Sequence, residues 1–323
     1  MKILVYIVSE PVWTIPPSQV VRLQRLFPRH AFVNAESEEQ AMAEIADAEV
    51  AFSSLITAPL FAAAKRLRWI HSPAAGVGRL LFGELCDSDV VVTNSSGLHA
   101  RSVAEHVFGL AIALSRRFQV AVRRQIEHRF AKDEIGHVRV LHGHRLGIVG
   151  LGAIGSAIAR LGVAFGMHVA AVRRHPEAPA PEGVEKVYGT SRLDELLAAS
   201  DYVVLAAPLT PETVGLIGSR ELRLMKPTAF LINIARGKLV REHELAEELA
   251  KGTIAGAGLD VFEHEPLDPG SPLWDLPNVI ITPHTSGFFE RYWDAVADMF
   301  ADNLRRYERG EPLFNVVDKT AGY

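Results

Sequence analysis

The stretch LGIVGLGAIG, residues 146–155, decides the fold of this chain. It begins with an apolar run typical of a buried strand, and residues 156–165 follow with helical spacing. Gly150, Gly152 and Gly155 therefore stand at a strand-to-helix junction. The first glycine permits a tight turn, the second lets a pyrophosphate approach the backbone, and the third allows close packing of helix on strand. The pattern predicts a dinucleotide-binding site.

Along the rest of the chain, apolar runs bounded by turn residues alternate with stretches that have helical spacing. Many of these runs are continuously apolar, as in parallel strands that are covered on both faces. The alternation predicts α/β architecture with doubly wound parallel sheets. The predicted strands are residues 2–8, 50–53, 69–71, 90–93, 145–149, 168–172, 202–206, 229–233, 256–259 and 279–282.

Two arginines follow the second predicted strand of the dinucleotide fold. Arg173 stands 18 residues after Gly155, and Arg174 is next. Sites that prefer NAD place an acidic residue there to accept hydrogen bonds from the ribose hydroxyls. Two guanidinium groups would instead bind a 2′-phosphate. The sequence therefore favours NADP(H). If both arginines are simply solvated side chains at the end of a strand, NAD(H) is possible.

The composition excludes several classes of protein. Of 323 residues, 48% are hydrophobic and 22% charged, as in globular chains. The net charge of −4 gives no reason to expect a nucleic acid or a membrane surface as partner. No apolar run reaches the length of about 20 residues that a membrane span needs. The single cysteine, Cys86, fits a reducing compartment such as the cytoplasm.

Three segments in the C-terminal half each carry reactive side chains after a predicted strand. Arg236 follows one strand, Glu263 and Glu265 follow the next, and His284 follows the last. Ligands of open parallel sheets bind outside the carboxyl ends of the strands. We therefore expect one site here. A separate histidine cluster at residues 137–144 lacks a nearby cysteine or acid, so we predict no metal site.

The chain resembles the D-isomer-specific 2-hydroxyacid dehydrogenases over nearly its whole length. Several motifs in order carry the resemblance, which makes it more specific than any one of them alone. They are residues 103–106, 150–155, 208–213, 225–227, 233–237, 256–266, 271–274, 276–279 and 283–287.

The resemblance implies that Arg236, Glu265 and His284 are catalytic. Reduction of a 2-oxo acid to a D-2-hydroxy acid needs a hydride at C2 and a proton on the developing alkoxide. His284 is suited to proton transfer near neutral pH, and the Glu265 carboxylate would favour its imidazolium form. Arg236 would bind the substrate carbonyl and carboxylate. Relatives that oxidise formate carry Gln in place of this Glu, so Glu265 argues against that activity.

The resemblance also implies binding residues. Ala75 and Gly76 match the family loop whose N–H groups hold the substrate carboxylate, together with Arg236 and His284; a plain tight turn is the alternative. Ala206 stands where the family often has His. The implied cofactor-binding residues are Gly150, Gly152, Ala153, Ile154, Gly155, Arg173, Arg174, Ala207, Pro208, Thr213, Ile234, Asp260 and Gly287.

The implied architecture is a Rossmann-type cofactor domain, residues 99–286, inserted in a flavodoxin-like substrate domain, residues 1–98 and 287–323. A long helix, with Ser102 as N-cap and Glu105 completing a capping box, is predicted to run for more than 20 residues. It is either a core helix or one that crosses between domains and forms a homodimer. Tyr292 and Trp293 belong either to the core of the last helix or to the wall of the substrate pocket.

The predicted function is NADPH-dependent reduction of a small 2-oxo acid, with glyoxylate and hydroxypyruvate as the leading substrates. The alternative from another class is a dinucleotide-binding interaction protein, like the corepressors that share this fold, with little turnover.

Overall fold

The computed structural model describes residues 1–7, 13–78, 80–320 and 322. The chain divides into two units, Met1–Leu98 with Phe289–Tyr323, and His99–Phe288. The first unit is therefore assembled from both ends of the chain, whereas the second is one continuous segment. Within the described ranges, no helix is both long enough and apolar enough to cross a membrane.

The first unit is built on a five-stranded parallel sheet. Its strands are β1 (Lys2–Tyr6), β2 (Ala31–Asn34), β3 (Val50–Ser53), β4 (Trp69–His71) and β5 (Val91–Thr93). They lie in the order β2-β1-β3-β4-β5, which is the flavodoxin-like order. The helices between them are α1 (Pro17–Leu26), α2 (Glu38–Glu44), α3 (Ala58–Ala63) and α4 (Gly83–Cys86).

The second unit is built on a seven-stranded parallel sheet. Its strands are β6 (Arg145–Val149), β7 (His168–Val172), β8 (Val184–Tyr188), β9 (Tyr202–Leu205), β10 (Phe230–Asn233), β11 (Gly256–Leu259) and β12 (Val279–Ile281). The order β8-β7-β6-β9-β10-β11-β12 is the Rossmann order with one added strand. The strands are added outward in one direction from β6 to β8 and in the other direction from β9 to β12.

The helices of the second unit precede or connect these strands. They are α5 (Ala100–Ser115), α6 (Phe118–Ile126), α7 (Lys132–Ile135), α8 (Ala153–Ala164), α9 (Leu193–Ala199), α10 (Ser219–Leu224) and α11 (Glu242–Ala250). Short 3-10 turns lie at Ile45–Asp47, Thr190–Arg192, Gly237–Leu239 and Pro272–Trp274. The chain then returns to the first unit as α12 (Tyr292–Arg309).

Successive residues of the strands belong to different hydrophobic clusters. In β6, Ile148 packs in the cluster that contains the buried face of α5, and Val149 packs in the cluster on the other face. In β1, Leu4 and Val5 divide between two clusters in the same way. Both sheets are therefore covered on both faces, which explains why their strands are continuously apolar. The predicted fold class, two doubly wound parallel-sheet domains of Rossmann and flavodoxin type, is confirmed.

The prediction of one long helix beginning at Ser102 is wrong in two respects. The helix α5 begins at Ala100 with His99 as N-cap, and the Ser102 hydroxyl donates to the His99 carbonyl at 3.1 Å instead of capping. It ends at Ser115, because Arg117 adopts a left-handed conformation (φ 56°) that separates α5 from α6. Eight residues of α5 are buried, so α5 is a core helix.

The sequence pattern missed two strands, β2 and β8, and both lie at the edge of a sheet. Other predicted strands agree to within one residue at their ends, the usual scatter of such boundaries. For the first predicted strand, residues 2–8, the structure shows β1 at Lys2–Tyr6, and Val8 lies outside the described residues.

Candidate active site

The glycine-rich turn joins β6 to α8 in the manner that a dinucleotide requires. Gly150 has φ +99°, and a Cβ there would lie 2.6 Å from the Ala207 nitrogen. A Cβ on Gly155 would overlap the Gly150 carbonyl, so the helix can begin this close to the strand only with glycine. The open N-terminus of α8 is therefore held directly against the end of β6.

The space in front of α8 fits a pyrophosphate. Among the described residues, no heavy atom lies within 4 Å of the position that a Cβ on Gly152 would occupy. The N–H groups of Ala153 and Ile154 donate to no acceptor in the described part of the chain. Such N–H groups, with the positive end of the helix dipole, are a ready site for phosphate.

The two arginines after β7 differ in their surroundings. The Arg173 guanidinium donates to the carbonyl oxygens of Ala178 and Pro179, so it holds the loop that leads to β8. Arg174 is exposed. A hydrogen bond from Thr210, aided by the positive charge of Arg174, lowers the pKa of the Glu212 carboxyl.

The turn after β9 is held by its own side chains. The Thr213 hydroxyl donates to the Pro208 carbonyl at 2.8 Å and accepts from the Thr210 N–H at 2.7 Å. Ala206 donates its N–H to the Val149 carbonyl at 2.8 Å and so holds this turn against β6.

The turn that carries Arg236 is fixed from both sides. The Asn233 side chain accepts from the Ala235 N–H and donates to the Arg236 carbonyl, both at 3.1 Å. A Cβ on Gly237 would overlap the backbone of Phe262, so this turn lies directly on the loop after β11. The Arg236 side chain reaches the surface, and its Nη1 donates to the Ala235 carbonyl at 2.6 Å. Partial burial lowers the pKa of its guanidinium, against the effect of the nearby Glu265 charge.

The two glutamates of the loop after β11 have different partners. Glu265 accepts from the Phe262 N–H at 3.0 Å with one oxygen and from His284 Nδ1 at 2.7 Å with the other. Glu263 instead accepts from the Glu242 N–H at 3.0 Å, and Glu242 accepts from the Glu263 N–H at 3.0 Å. Of the two, Glu265 is the one that contacts the histidine.

The turn that carries His284 is organised by Asp260, which is fully buried at the end of β11. His284 has φ 54°, and its N–H donates to the Asp260 carbonyl at 2.8 Å. The Asp260 carboxylate accepts from the N–H groups of Thr285 and Ser286 at 2.9 and 3.0 Å. These bonds offset the cost of a left-handed residue, about 1 kcal/mol. The imidazole remains 49% exposed.

A relay of polar side chains that the sequence did not reveal continues from Asp260. Thr282 donates its hydroxyl to Asp260 Oδ1 at 2.6 Å, so it must accept from His106 Nε2 at 3.0 Å. Burial lowers the pKa of His106. The signal that could have revealed this relay was His106, a histidine on the half-buried side of a core helix. His106 stands in a quoted motif, but nothing in sequence pointed to Thr282, which lies 176 residues away.

The remaining predicted residues lie at three places. Ile234 is buried directly after β10. The Gly287 carbonyl accepts from His99 Nδ1 at 3.0 Å, next to the N-terminus of α5. Ala75 and Gly76 belong to the first unit, in the loop after β4. Arg236, Glu265 and His284 converge within the second unit. Glu265 contacts His284, and the turn that carries Arg236 lies against the loop that carries Glu265.

Comparisons with known proteins agree with this geometry. The family model described as D-isomer specific 2-hydroxyacid dehydrogenase, NAD binding domain, matches residues 108–286, more than half of the chain. A glyoxylate reductase from Korarchaeum cryptofilum is 38% identical over 283 residues, which cover 83% of this chain and 82% of the relative.

Two similar solved structures extend over the whole chain. The D-isomer specific 2-hydroxyacid dehydrogenase from Xanthobacter autotrophicus Py2, in complex with NADPH and MES, has a TM-score of 0.85 and 32% identity, covering 100% of this chain and 99% of that one. The NADPH-dependent glyoxylate/hydroxypyruvate reductase from Sinorhizobium meliloti, with NADP and sulfate, has a TM-score of 0.84 and 26% identity, with the same coverage.

Proposed function

The chain belongs to the D-isomer-specific 2-hydroxyacid dehydrogenases, NAD(P)-dependent enzymes, and on that premise we propose that it reduces a short 2-oxo acid to the D-2-hydroxy acid with NADPH. The observation that carries the proposal is the 2.7 Å contact between Glu265 Oε2 and His284 Nδ1. It leaves Nε2, which contacts no polar partner among the described residues, to face a substrate.

His284 is the proton donor in this proposal. Glu265 accepts the Nδ1 hydrogen, which orients the ring. Nε2 then holds the proton that the developing alkoxide takes up. The nicotinamide supplies the hydride when it is bound.

Arg236 binds the substrate and stabilises charge. The Arg236 side chain is exposed and its Nη1 donates to the Ala235 carbonyl at 2.6 Å, so its remaining N–H groups can bind a carboxylate or a developing alkoxide. The substrate carboxylate is also bound by the N–H groups of Ala75 and Gly76. The family relationship and the chemistry of these donors support that assignment.

The cofactor is held by the glycine-rich turn and by the segments that follow the strands of the second unit. Gly152, Ala153 and Ile154 would bind the pyrophosphate, Asp260 would lie near the nicotinamide, and Gly287 would be a further binding residue. The further cofactor residues are Gly150, Gly155, Ala207, Pro208, Thr213 and Ile234.

We assign the preference for NADPH to Arg174, with Arg173 as its support. Arg174 is exposed and carries a positive charge where NAD-preferring sites have an acid. Arg173 fixes the adjoining loop through the carbonyls of Ala178 and Pro179. The relatives from Xanthobacter autotrophicus Py2 and Sinorhizobium meliloti were solved with NADPH and NADP, which supports the proposal.

Glyoxylate and hydroxypyruvate are the proposed substrates. Glyoxylate reductase is the name of the Korarchaeum cryptofilum relative, and the Sinorhizobium meliloti relative is named for both substrates. A homodimer is the proposed assembly, with the helix α6 at its interface.

The test is the loss of NADPH absorbance with glyoxylate, hydroxypyruvate, pyruvate and phenylpyruvate offered separately, and with NADH in parallel. We expect His284→Asn to lower kcat by about 10²- to 10⁴-fold, the contribution of general acid catalysis. Arg174→Gln should raise the KM for NADPH and leave that for NADH unchanged. Arg220→Gln, in an exposed arginine paired with Asp194 and Glu221, is the matched control.

Two results would contradict the proposal. Binding of the dinucleotide without turnover of any 2-oxo acid would favour an interaction protein. If wild type and Arg174→Gln each used NADH and NADPH equally well, the assigned preference would be wrong. The enzyme class would still hold.

A further inference from the structure

We propose that Asn94 is a positioning residue that aims the Gly76 N–H at the substrate carboxylate, and that Tyr292 supports it by fixing the peptide that precedes the donors Ala75 and Gly76. This inference rests on the proposed function, which places the carboxylate at these N–H groups. It concerns the first unit alone, and neither residue touches the substrate in this proposal.

Four successive carbonyl groups of residues 72–75 each accept a hydrogen bond. The Ser72 carbonyl accepts from Ser95 Oγ at 3.0 Å, and that of Ala74 accepts from the Ser95 N–H at 3.2 Å. A further carbonyl, that of Ala75, accepts from Asn94 Nδ2 at 2.8 Å. The Pro73 carbonyl accepts from the Tyr292 hydroxyl at 2.8 Å.

A trans peptide is planar, so its N–H points opposite to its carbonyl. The bond from Asn94 to the Ala75 carbonyl therefore sets the direction of the Gly76 N–H. The bond from Ser95 to the Ala74 carbonyl sets that of the Ala75 N–H in the same way. Neither N–H donates to an acceptor within the described ranges, and Gly76 is exposed. Two adjacent donors held away from their carbonyls form a site for an anion.

Asn94 is itself rigidly placed. Its side chain accepts from the Ser96 N–H at 3.0 Å, and its own N–H donates to the Asn315 carbonyl at 3.1 Å. Asn315 Nδ2 donates back to the carbonyls of Asn94 and Ser96 at 3.2 and 2.8 Å. Asn94 is only 6% exposed, so water does not compete for its amide.

Tyr292 acts one peptide earlier in the loop. Its ring is 8% exposed and packs edge-on against Trp13 and Phe289. Its hydroxyl fixes the Pro73 carbonyl. Of the two sequence interpretations, the core position is therefore the observed one, and the hydroxyl adds a contact to the substrate loop.

The experiment compares Asn94→Ala and Tyr292→Phe with wild type. Tyr307→Phe is the matched control, because Tyr307 lies on the same helix and donates to Glu49 at 3.0 Å, away from the loop. The readouts are kcat and KM for glyoxylate, the Kd of NADPH, and the Kd of oxalate for the NADPH-loaded protein by calorimetry. Oxalate carries the carboxylate but is not reduced, so its affinity reports the anion site without turnover.

We expect KM for glyoxylate and Kd for oxalate to rise about tenfold in Asn94→Ala, as for the loss of about one hydrogen bond, and about threefold in Tyr292→Phe, whose hydroxyl fixes the preceding peptide. The Kd for NADPH should be unchanged and kcat should stay within about twofold. Unchanged oxalate affinity would overturn the inference, as would a fall in kcat or NADPH affinity alone. If Asn94→Ala does not fold, Tyr292→Phe keeps the ring and decides the question. Absence of turnover in wild type would contradict the proposed function, whereas oxalate binding would still test the loop.

Discussion

His71 is a histidine without access to water, at the end of β4. Its Nδ1 lies 2.7 Å from Thr93 Oγ1, and its Nε2 lies 3.4 Å from Ser95 Oγ. Trp69 donates to Thr93 Oγ1, and Ser95 donates to the Ser72 carbonyl. A neutral ring that accepts at Nδ1 and donates at Nε2 satisfies all of these groups. Burial lowers the pKa of His71 to about 3, from an ordinary value of 6.5.

We expect this histidine to destabilise the protein in acid. Below pH 6.5 the unfolded chain binds a proton at His71 that the folded chain excludes, so the free energy of unfolding falls until about pH 3. The loss at pH 5 is about 2 kcal/mol, at about 1.4 kcal/mol per pKa unit. Urea denaturation followed by tryptophan fluorescence measures it. Three of the four tryptophans, Trp13, Trp69 and Trp293, belong to the first unit.

The comparison is with His71→Gln, which keeps a donor and an acceptor but does not titrate. Its unfolding free energy should depend less steeply on pH between 6.5 and 4 than that of wild type. His243→Gln, in a histidine whose side chain is 86% exposed, should follow wild type. An equally steep loss in His71→Gln and wild type would assign the acid sensitivity to other groups.

Where one element meets another, Gly237 decides how close the Arg236 turn lies to the loop that carries Glu265. A Cβ there would overlap the Phe262 carbonyl and crowd the Glu263 nitrogen. Gly237→Ala must therefore push the two segments apart. Overpacking of this kind costs about 1–3 kcal/mol. Because misplacement by about 1 Å can reduce catalysis about 10²-fold, we expect kcat/KM for glyoxylate to fall to that extent.

Gly109→Ala is the control for the added methyl group. Gly109 is exposed in α5, and apart from the helix's own backbone no heavy atom of the described residues lies within 4 Å of its Cβ position. Alanine there should raise the free energy of unfolding by about 0.5–1 kcal/mol. Steady-state kinetics and thermal unfolding measure both variants. Full activity in Gly237→Ala would show that the Arg236 turn tolerates a shift.

Most of the strands that the sequence predicted are buried on both faces. Strands such as β6 and β9 are continuously apolar because both sides of them are covered, and this signal survives in a single sequence. The edge strands β2 and β8 lack it, since they are only partly buried and mix polar with apolar residues. The break between α5 and α6 was also hidden. It depends on the conformation of Arg117, which carries no glycine or proline signal.

The site divides in a similar way. Arg236, Glu265 and His284 could be predicted to share a site because each follows a strand in the same sheet, and the family resemblance selected Glu265 over Glu263. The Asp260–Thr282–His106 relay could not, since it depends on side chains that only the fold brings together. The catalytic roles of Arg236, Glu265 and His284 stay predictions.

For the whole molecule, the surface that most needs an explanation is the apolar stripe of α6 and the segment after it. Phe118, Val122, Ile126 and Phe130 are spaced by four residues and are 51%, 53%, 77% and 99% exposed. The helix α6 has no buried residue. Contiguous exposed apolar surface of this kind is typical of a protein interface. With a second copy of the chain, a two-fold axis would pair the stripe with itself.

We therefore expect wild type to sediment as a dimer and the double variant Val122→Asp/Phe130→Asp to sediment as a monomer. Two buried carboxylates in each protomer would lose hydration without gaining a cationic partner, which an interface of ordinary size does not tolerate. Val21→Asp is the control, because Val21 is 49% exposed on α1 of the first unit. A dimer that survives the double substitution would place the interface elsewhere, and a monomeric wild type at micromolar concentration would contradict the assembly. Because the stripe lies outside the Arg236–Glu265–His284 cluster, the monomeric variant should also bind NADPH, which separates loss of assembly from loss of fold.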